Sequence, residues 1–479
     1  MSRSRCLYAP CTPRTRTVST QPNLLIIMCD ELRAQGQGYY GHPTIQTPHL
    51  DHLAQTGAAF EHAVSNCPIC MPARSAVLSG QYARTCTGML NNTVHRTTEG
   101  GWIMPQWPSD GRKHLPDPTL PEILRNRGYQ TAAIGKWHVE CWPDAIGFDH
   151  YNIPAHQHAH SAQWFCEDGG PPLSPPGYSV DYEADRVCAY LEKQANQDAP
   201  FFLYYNISPP HMPLADAPEK YLKMYSRDDV VLRDNVDLDT PLPRQTQQFL
   251  TYLWDYRYYR DHLPYTRDLP PGFDLRDLIA LYMGLTTWVD DTAGRVLDKL
   301  KQLSLEDDTT VVFTSDHGDN LGSHQIMGKG TLNEESIRIP MHLRGPGIAN
   351  QKISQQVGSL VDLAPTLLEL AGIQPPSHMQ GRSLAPVLKG DRPCLDEPWA
   401  YIETEKDGIG LRTPDRMIQA PWSTAAPQID PTRCLVTDLT QDPYQLAPTE
   451  VTPSDSNDLT EQIHRLHRWH ENTPWKTPH

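Results

Sequence analysis

The chain has 479 residues, 38% hydrophobic and 20% charged, enough to bury one large core or two unequal ones. A formal net charge of −16 argues against nucleic acid or an anionic membrane as partner, but not against a small anion drawn to local charge in a cleft. No apolar run reaches the roughly 18–20 residues that cross a bilayer, and eleven scattered cysteines suit a reducing compartment better than a disulfide scaffold.

Residues 1–22 carry Arg3, Arg5, Arg14 and Arg16, many Ser and Thr, no acid and no apolar segment of signal-peptide form. Residues 1–20 are expected to be a disordered extension on a cytoplasmic protein. The first element is Asn23–Cys29, a continuous apolar run closed by acids, which suits a strand buried on both faces of a parallel sheet. Thr131–Gly135, Phe201–Ile207 and Thr309–Thr314 have the same form. After the four strands come Asp30-Glu31, Lys136-Trp137-His138, Pro209-Pro210-His211 and Asp316-His317-Gly318-Asp319. Ligands of open α/β sheets sit outside the carboxyl ends of strands, so these clusters are expected to meet in one site.

Helical spacing lies between the strands. Thr119–Arg127 stops at Gly128, suited to a left-handed cap. Leu278, Leu281, Tyr282, Leu285, Val289, Val296 and Leu300 keep one helical face, and Asp362–Ala371 is closed by Gly372. The stretch Asp216–Asp274 lacks a period and reads as a long insertion. Beyond about Leu395, Trp399–Glu403, Gly410–Arg412 and Cys434–Asp438 read as antiparallel strands and Leu459–Trp469 as a helix. The expected fold is a doubly wound α/β domain over 21–395, its sheet mostly parallel with helices on both faces. A small α+β subdomain follows over 396–479.

Cys70 opens a helix-like run, Met71–Ser79, where oriented N–H groups favour an anionic nucleophile and an anionic substrate. Asp30 and Asp316 offer hard oxygen ligands, suited to Ca²⁺ or Mg²⁺ rather than zinc. Cys67-Pro68-Ile69-Cys70 also reads as a C-x-x-C redox pair, but that reading leaves Arg74, Lys136 and Asp316-His317 unexplained. Cys11-Thr12-Pro13-Arg14 only looks like a second copy of the Cys70 pattern, its arginine falling one position early. His156, His158 and His160 alternate as along an extended segment; a pocket-rim loop is favoured over a metal site. The acid pairs Asp228-Asp229, Asp290-Asp291 and Asp307-Asp308 read as exposed helix and turn positions.

Cys70-Met71-Pro72-Ala73-Arg74 with Leu78-Ser79-Gly80 resembles the sulfatase signature, C-x-P-x-R followed by L-[ST]-G, whose cysteine is oxidised after translation to formylglycine (3-oxoalanine). Pro22–Glu31, Thr47–Phe60, Gly128–His138, Pro200–Pro213 and Ser315–His324, then Lys329 and Glu334-Glu335, resemble further family segments in family order. The likeness spans about residues 20 to 445 and implies the alkaline phosphatase-like fold and hydrolysis of a small sulfate ester. It implies one divalent metal, Ca²⁺ before Mg²⁺ or Mn²⁺, held by Asp30, Asp316, His317 and the side chain at position 70. Glu31, where the family more often has Asp, is a further candidate ligand. Arg74 would hold the nucleophile and metal, and Lys136 and Lys329 would clamp the anion. His138 would take a proton from the nucleophile's second hydroxyl, and His211 would stand at the leaving oxygen. Asn91 and His324 are candidate substrate contacts.

The resemblance further implies a formylglycine-generating enzyme as maturation partner. A phosphonate monoester or phosphodiester hydrolase with the same nucleophile is the alternative. A non-catalytic binding protein on this fold is disfavoured, because nucleophile, ligands and clamps are all present. Specificity is expected in the 151–180 loop, the 216–274 insertion and the C-terminal subdomain, and an oligomer is compatible with the sequence.

Overall fold

The computed structural model describes residues 21–91, 94–97, 103–106, 114–139, 141–155, 158–240, 243, 250, 253–254, 271–423, 427–430, 433–451 and 457–475. The expected N-terminal extension, the Cys11–Arg14 pattern, His156 and most of 241–270 lie outside the described residues.

In chain order the strands are β1 (Asn23–Asp30), β2 (Ala58–Val64), β3 (Val94–Thr97), β4 (Ile103–Gln106), β5 (Gln130–Gly135), β6 (His150–Pro154), β7 (Phe165–Glu167) and β8 (Phe201–Pro210). They continue with β9 (Thr309–Ser315), β10 (Met341–Arg344) and β11 (Gln351–Ser359). β3 and β4 pair antiparallel with each other, and the other nine form one mixed sheet in the order β11-β2-β10-β9-β1-β8-β5-β6-β7. Its centre is parallel: β1 pairs with both β8 and β9, and β8 with β5. β10 and β7 run antiparallel to their neighbours.

β1 shows why its sequence is unbroken in apolar residues. Leu24, Ile26 and Met28 enter one core while Leu25, Ile27 and Cys29 enter the other, and all six are fully buried. The first core is closed by the helices Cys70–Ser79, Leu120–Arg125 and Leu363–Leu370 through Ala73, Val77, Leu120, Leu124 and Leu367. The second is closed by Pro48–Thr56, Ser179–Gln194 and Leu275–Gln302 through Leu50, Val187, Leu278, Leu285 and Trp288. Helices therefore cover both faces, as the alternation of elements requires.

The helix at Leu120 starts on a capping box, Thr119 with Glu122, and the long helix on another, Asp274 with Asp277. One expectation is corrected: Asp290 is not exposed. It is fully buried and accepts the N–H groups of His49, at 3.3 Å, and Leu50, at 2.8 Å, capping the helix Pro48–Thr56 from outside.

The C-terminal region is a five-stranded antiparallel sheet of β12 (Ala400–Glu403), β13 (Ile409–Arg412), β14 (Arg416–Ala420), β15 (Cys434–Asp438) and β16 (Thr449–Val451). The helix Asn457–Asn472 packs Ile463 and Leu466 against it. The sheet shares a core with the larger domain, where Ala400, Ile402 and Met417 meet Val64, Leu332, Ile337 and Val357. Two buried ion pairs join the same seam, Arg412 with Glu334 (2.8 Å) and Arg84 with Glu403.

Candidate active site

The carboxyl ends of β1, β5, β8 and β9 lie side by side, and each delivers its polar cluster to one place. Asp30 closes β1, Asp316 and His317 follow β9, Lys136 follows β5 and His211 follows β8. The end of β5 depends on Gly135. Its φ is 88°, and a Cβ there would lie 2.0 Å from the Asn206 carbonyl oxygen of β8. That close approach lets the Lys136 N–H donate to the same carbonyl at 3.1 Å and aims the side chain at Asp30, whose Oδ2 lies 2.5 Å from Nζ.

Arg74, on the helix Cys70–Ser79, is fully buried and ties the site together. Its Nη2 lies 2.9 Å from both Asp30 Oδ2 and Asp316 Oδ2, and its Nη1 donates to Asn206 Oδ1 at 2.7 Å. A planar fork bridging two carboxylates has no lysine equivalent.

Cys70 is the first residue of that helix and is 1% exposed. Its Sγ lies 3.1 Å from Lys329 Nζ, 3.3 Å from His317 Nε2 and 3.8 Å from Asp30 Oδ1. Asp30 Oδ1 and Asp316 Oδ1 lie 3.7 and 3.5 Å from the same His317 nitrogen. One ligand atom from each of Asp30, Cys70, Asp316 and His317 thus falls within 4.8 Å of the others, all of them buried. Two carboxylate oxygens and an imidazole nitrogen converging in this way are a donor set that could hold a divalent cation. The His317 Nδ1–H donates to the Gly318 carbonyl at 2.9 Å, which leaves Nε2 as the ligand atom.

The electrostatics reflect crowding of charge. Burial alone would raise the Asp30 carboxyl, but the cations around it, Lys136, Lys329 and Arg74, hold it well below the usual range. Burial, then the Asp30 charge, pushes Asp316 up to about 6. Burial pushes Glu31 up to about 8, against the pull of Lys329. Burial and the nearby lysines hold His138 and His211 well below the ordinary imidazole value, so both are neutral.

Glu31 sits just beyond the four-residue cluster. It has a φ of 70°, and its carboxylate lies 3.4 Å from Lys329 Nζ and 3.6 Å from His211 Nε2. It forms a second grouping with Asp30 and His211. His211 donates Nδ1–H to the Met212 carbonyl at 3.0 Å, which turns Nε2 to Glu31. The Asn91 oxygen accepts the Met71 N–H at 3.1 Å, leaving its NH₂ group to donate into the cleft.

Above this floor opens a cleft of about 590 Å³. Glu31, Cys70, Asn91, His138, His211 and Lys329 line its base; Met212, Leu253, Ile326 and Met327 form an apolar wall, with Lys406 at the rim. His324, a candidate substrate contact, does not join the described lining. Its Nε2 accepts from Asn235 at 3.1 Å and lies 3.9 Å from Glu335, a position set by a left-handed backbone (φ 55°). Asn206 is a site residue that the sequence does not mark, because one Asn inside an apolar strand carries no signal until Arg74 is seen to reach it.

A family model described as Sulfatase matches residues 22–373. The ulvan-active sulfatase of Formosa agariphila is 30% identical over 407 residues, covering 81% of this chain and 70% of its own. A solved protein in complex with its substrate D-glucosamine-2-N,6-O-disulfate aligns with a TM-score of 0.74 over 95% of this chain and 97% of its own, at 24% identity. The phosphonate monoester hydrolase of Agrobacterium radiobacter aligns with a TM-score of 0.67 over 94% and 96%, at 22% identity.

Proposed function

This chain belongs to the sulfatase family, and from that premise we propose that it hydrolyses sulfate esters with a nucleophile made by oxidising Cys70 to formylglycine beside one divalent cation. The observation that carries the reading is the convergence of Asp30, Asp316 and His317 on a buried residue 70 at a helix N-terminus. The hydrated aldehyde would supply a hydroxyl nucleophile, and a cation would lower that hydroxyl's pKa and draw charge from the sulfate.

Calcium is the proposed ion: Asp30 and Asp316 would hold it through carboxylate oxygens, the donors that hard cations take, with His317 Nε2 beside them. The Cys70 sulfur stands where an oxygen of the mature residue would be.

The chain's own groups then divide the work. Arg74 fixes the two metal-binding carboxylates, and Lys136 and Lys329 bring positive charge to the sulfate oxygens. Asn91 adds an N–H donor. Neutral His138 takes a proton from the nucleophile's second hydroxyl as sulfate leaves. His211 serves the leaving oxygen through Nε2, which faces the Glu31 carboxyl at 3.6 Å. Buried or half-buried free thiols at all nine described cysteines support a cytoplasmic location.

The test is a matched pair of substrates on one preparation of known aldehyde content. An aryl sulfate should be turned over with the higher kcat/KM. A reversal of more than about tenfold in favour of the matched phenylphosphonate, roughly 1.4 kcal/mol in barrier, would assign the enzyme to the phosphonate and phosphodiester branch instead.

A further inference from the structure

Of the alternating histidines, His158 and His160 are described, and they do different things. His160 is fully buried, with its ring edge-on to Trp288 of the long helix at 5.9 Å. Its Nε2–H donates to the His211 carbonyl at 3.1 Å, the direction fixed because a carbonyl only accepts. The Asp216 carboxylate takes the N–H groups of His160 and Ser161 at 2.8 and 2.9 Å, and the His160 carbonyl takes the Ser179 N–H at 2.7 Å. The segment is thus tied at four points to the core and to His211 itself.

This anchoring sets the place of His158. Its ring stacks on that of His211 with centroids 4.3 Å apart and planes 28° apart. Half-buried, it lines the cleft beside His211, Met212 and Leu253. The same cleft holds Cys70, Lys329 and Asn91, so an ester whose sulfate rests among them has room for its remaining portion beside His158. We infer that His158 is a second histidine of the leaving-group side, contacting the alcohol or phenol portion of the ester while its ring keeps the His211 ring in position. The inference rests on the sulfate-ester reading only in placing the anion on the floor; a phosphonate monoester would send its leaving group the same way.

Two separate measurements test it. In the full chain carrying Cys70→Ala, which cannot mature, affinity is measured calorimetrically for inorganic sulfate and for phenyl sulfate. His158→Ala should weaken phenyl sulfate at least about fivefold, roughly 1 kcal/mol, and leave inorganic sulfate within twofold (~0.4 kcal/mol). Equal weakening of both ligands, or of neither, overturns the contact.

In the mature enzyme, kcat/KM is followed across aryl esters of rising leaving-group pKa, as sulfates and as phenylphosphonates. His158→Phe keeps the ring stack and removes the nitrogens. It should lose roughly tenfold on the least activated ester and under about twofold on 4-nitrophenyl esters. A loss by one common factor across the series assigns His158 to structure alone and overturns the proposal. If phosphonates prove the better substrates, the sulfate-ester reading fails while both His158 outcomes stay readable.

Discussion

On the floor of the cleft, charged groups come from strand ends, from the helix Cys70–Ser79 and from the loop of Lys329, and the central ones are fixed by several partners. Arg74 holds two carboxylates and Asn206, Asp30 is shared by Arg74 and Lys136, and His317 is oriented by the Gly318 carbonyl. The outer wall is built from loop residues, Met212, Ile326 and Met327 among them, and from His158 on its anchored segment. The C-terminal sheet adds Lys406 from the turn between β12 and β13. On the proposed reading, a floor so built is rigid and would serve any tetrahedral oxyanion, whereas a wall so built could change without disturbing the charges. The difference would separate reaction chemistry from substrate choice. Mutations on the floor should depress all esters together, and mutations on the wall should move esters apart.

The largest effect expected is from Cys70→Ala. Loss of the proposed nucleophile should cost at least ~10⁴-fold in kcat on every ester, and peptide mass analysis of the wild type should find aldehyde at position 70. Full activity in the variant would remove the distinction at its root. Arg74→Lys should follow, with roughly 10²–10³-fold lower kcat and a matching loss in calcium affinity, both independent of the leaving group. A substrate-dependent loss would show that Arg74 does more than hold the floor.

The third prediction uses the seam that carries Lys406. Burial alone would raise the Glu334 carboxyl, but the Arg412 guanidinium outweighs it and holds the group at about 2, against an ordinary 4.5. A depressed carboxyl stabilises the fold fully above the unfolded value and loses that stabilisation as pH falls through the folded one. The seam should therefore lose about 3 kcal/mol between pH ~4.5 and pH ~2, measured by denaturant titration, and Glu334→Gln should flatten that part of the profile. Next, calcium at about 100 times its Kd should raise stability by about 2.7 kcal/mol. Asp316→Asn should abolish that gain while Met327→Ala leaves it intact.

The smallest effect belongs to the wall itself. Met327→Ala should raise KM two- to fivefold, roughly 0.4–1 kcal/mol, for bulky aryl sulfates and leave inorganic sulfate inhibition unchanged. A shift in sulfate inhibition would mean that wall and floor are mechanically joined.

The floor is legible in the sequence for a physical reason. Strands buried on both faces must be continuously apolar, so the first charged residue after each one marks a sheet edge; Asp30, Lys136, His211 and Asp316 stand out that way. The sulfatase signature adds Cys70 and Arg74, which lie on a helix whose ten residues are all buried and carry no amphipathic pattern. What stays hidden depends on contacts between distant segments. Asp290 looks like one of an exposed pair, and only the packed fold sets it over the N-terminus of another helix. The stack of His158 on His211 joins a loop to a strand end. β14 and β16 become strands only through their pairing, β14 between β13 and β15 and β16 along β15.

The near-complete burial of residue 70 also sets an order of events during synthesis. Lys329 and His317, which press on the Cys70 sulfur, follow it by 259 and 247 residues. At elongation rates of about 5–20 residues per second, the thiol is made roughly 12–50 s before His317 exists to cover it. If position 70 matures as proposed, an oxidising enzyme that needs to grip the segment around Cys70 would have that interval, before sheet closure withdraws the thiol. Synthesis rate and maturation rate would then compete, so slower translation should raise the aldehyde fraction at position 70 with no change in sequence.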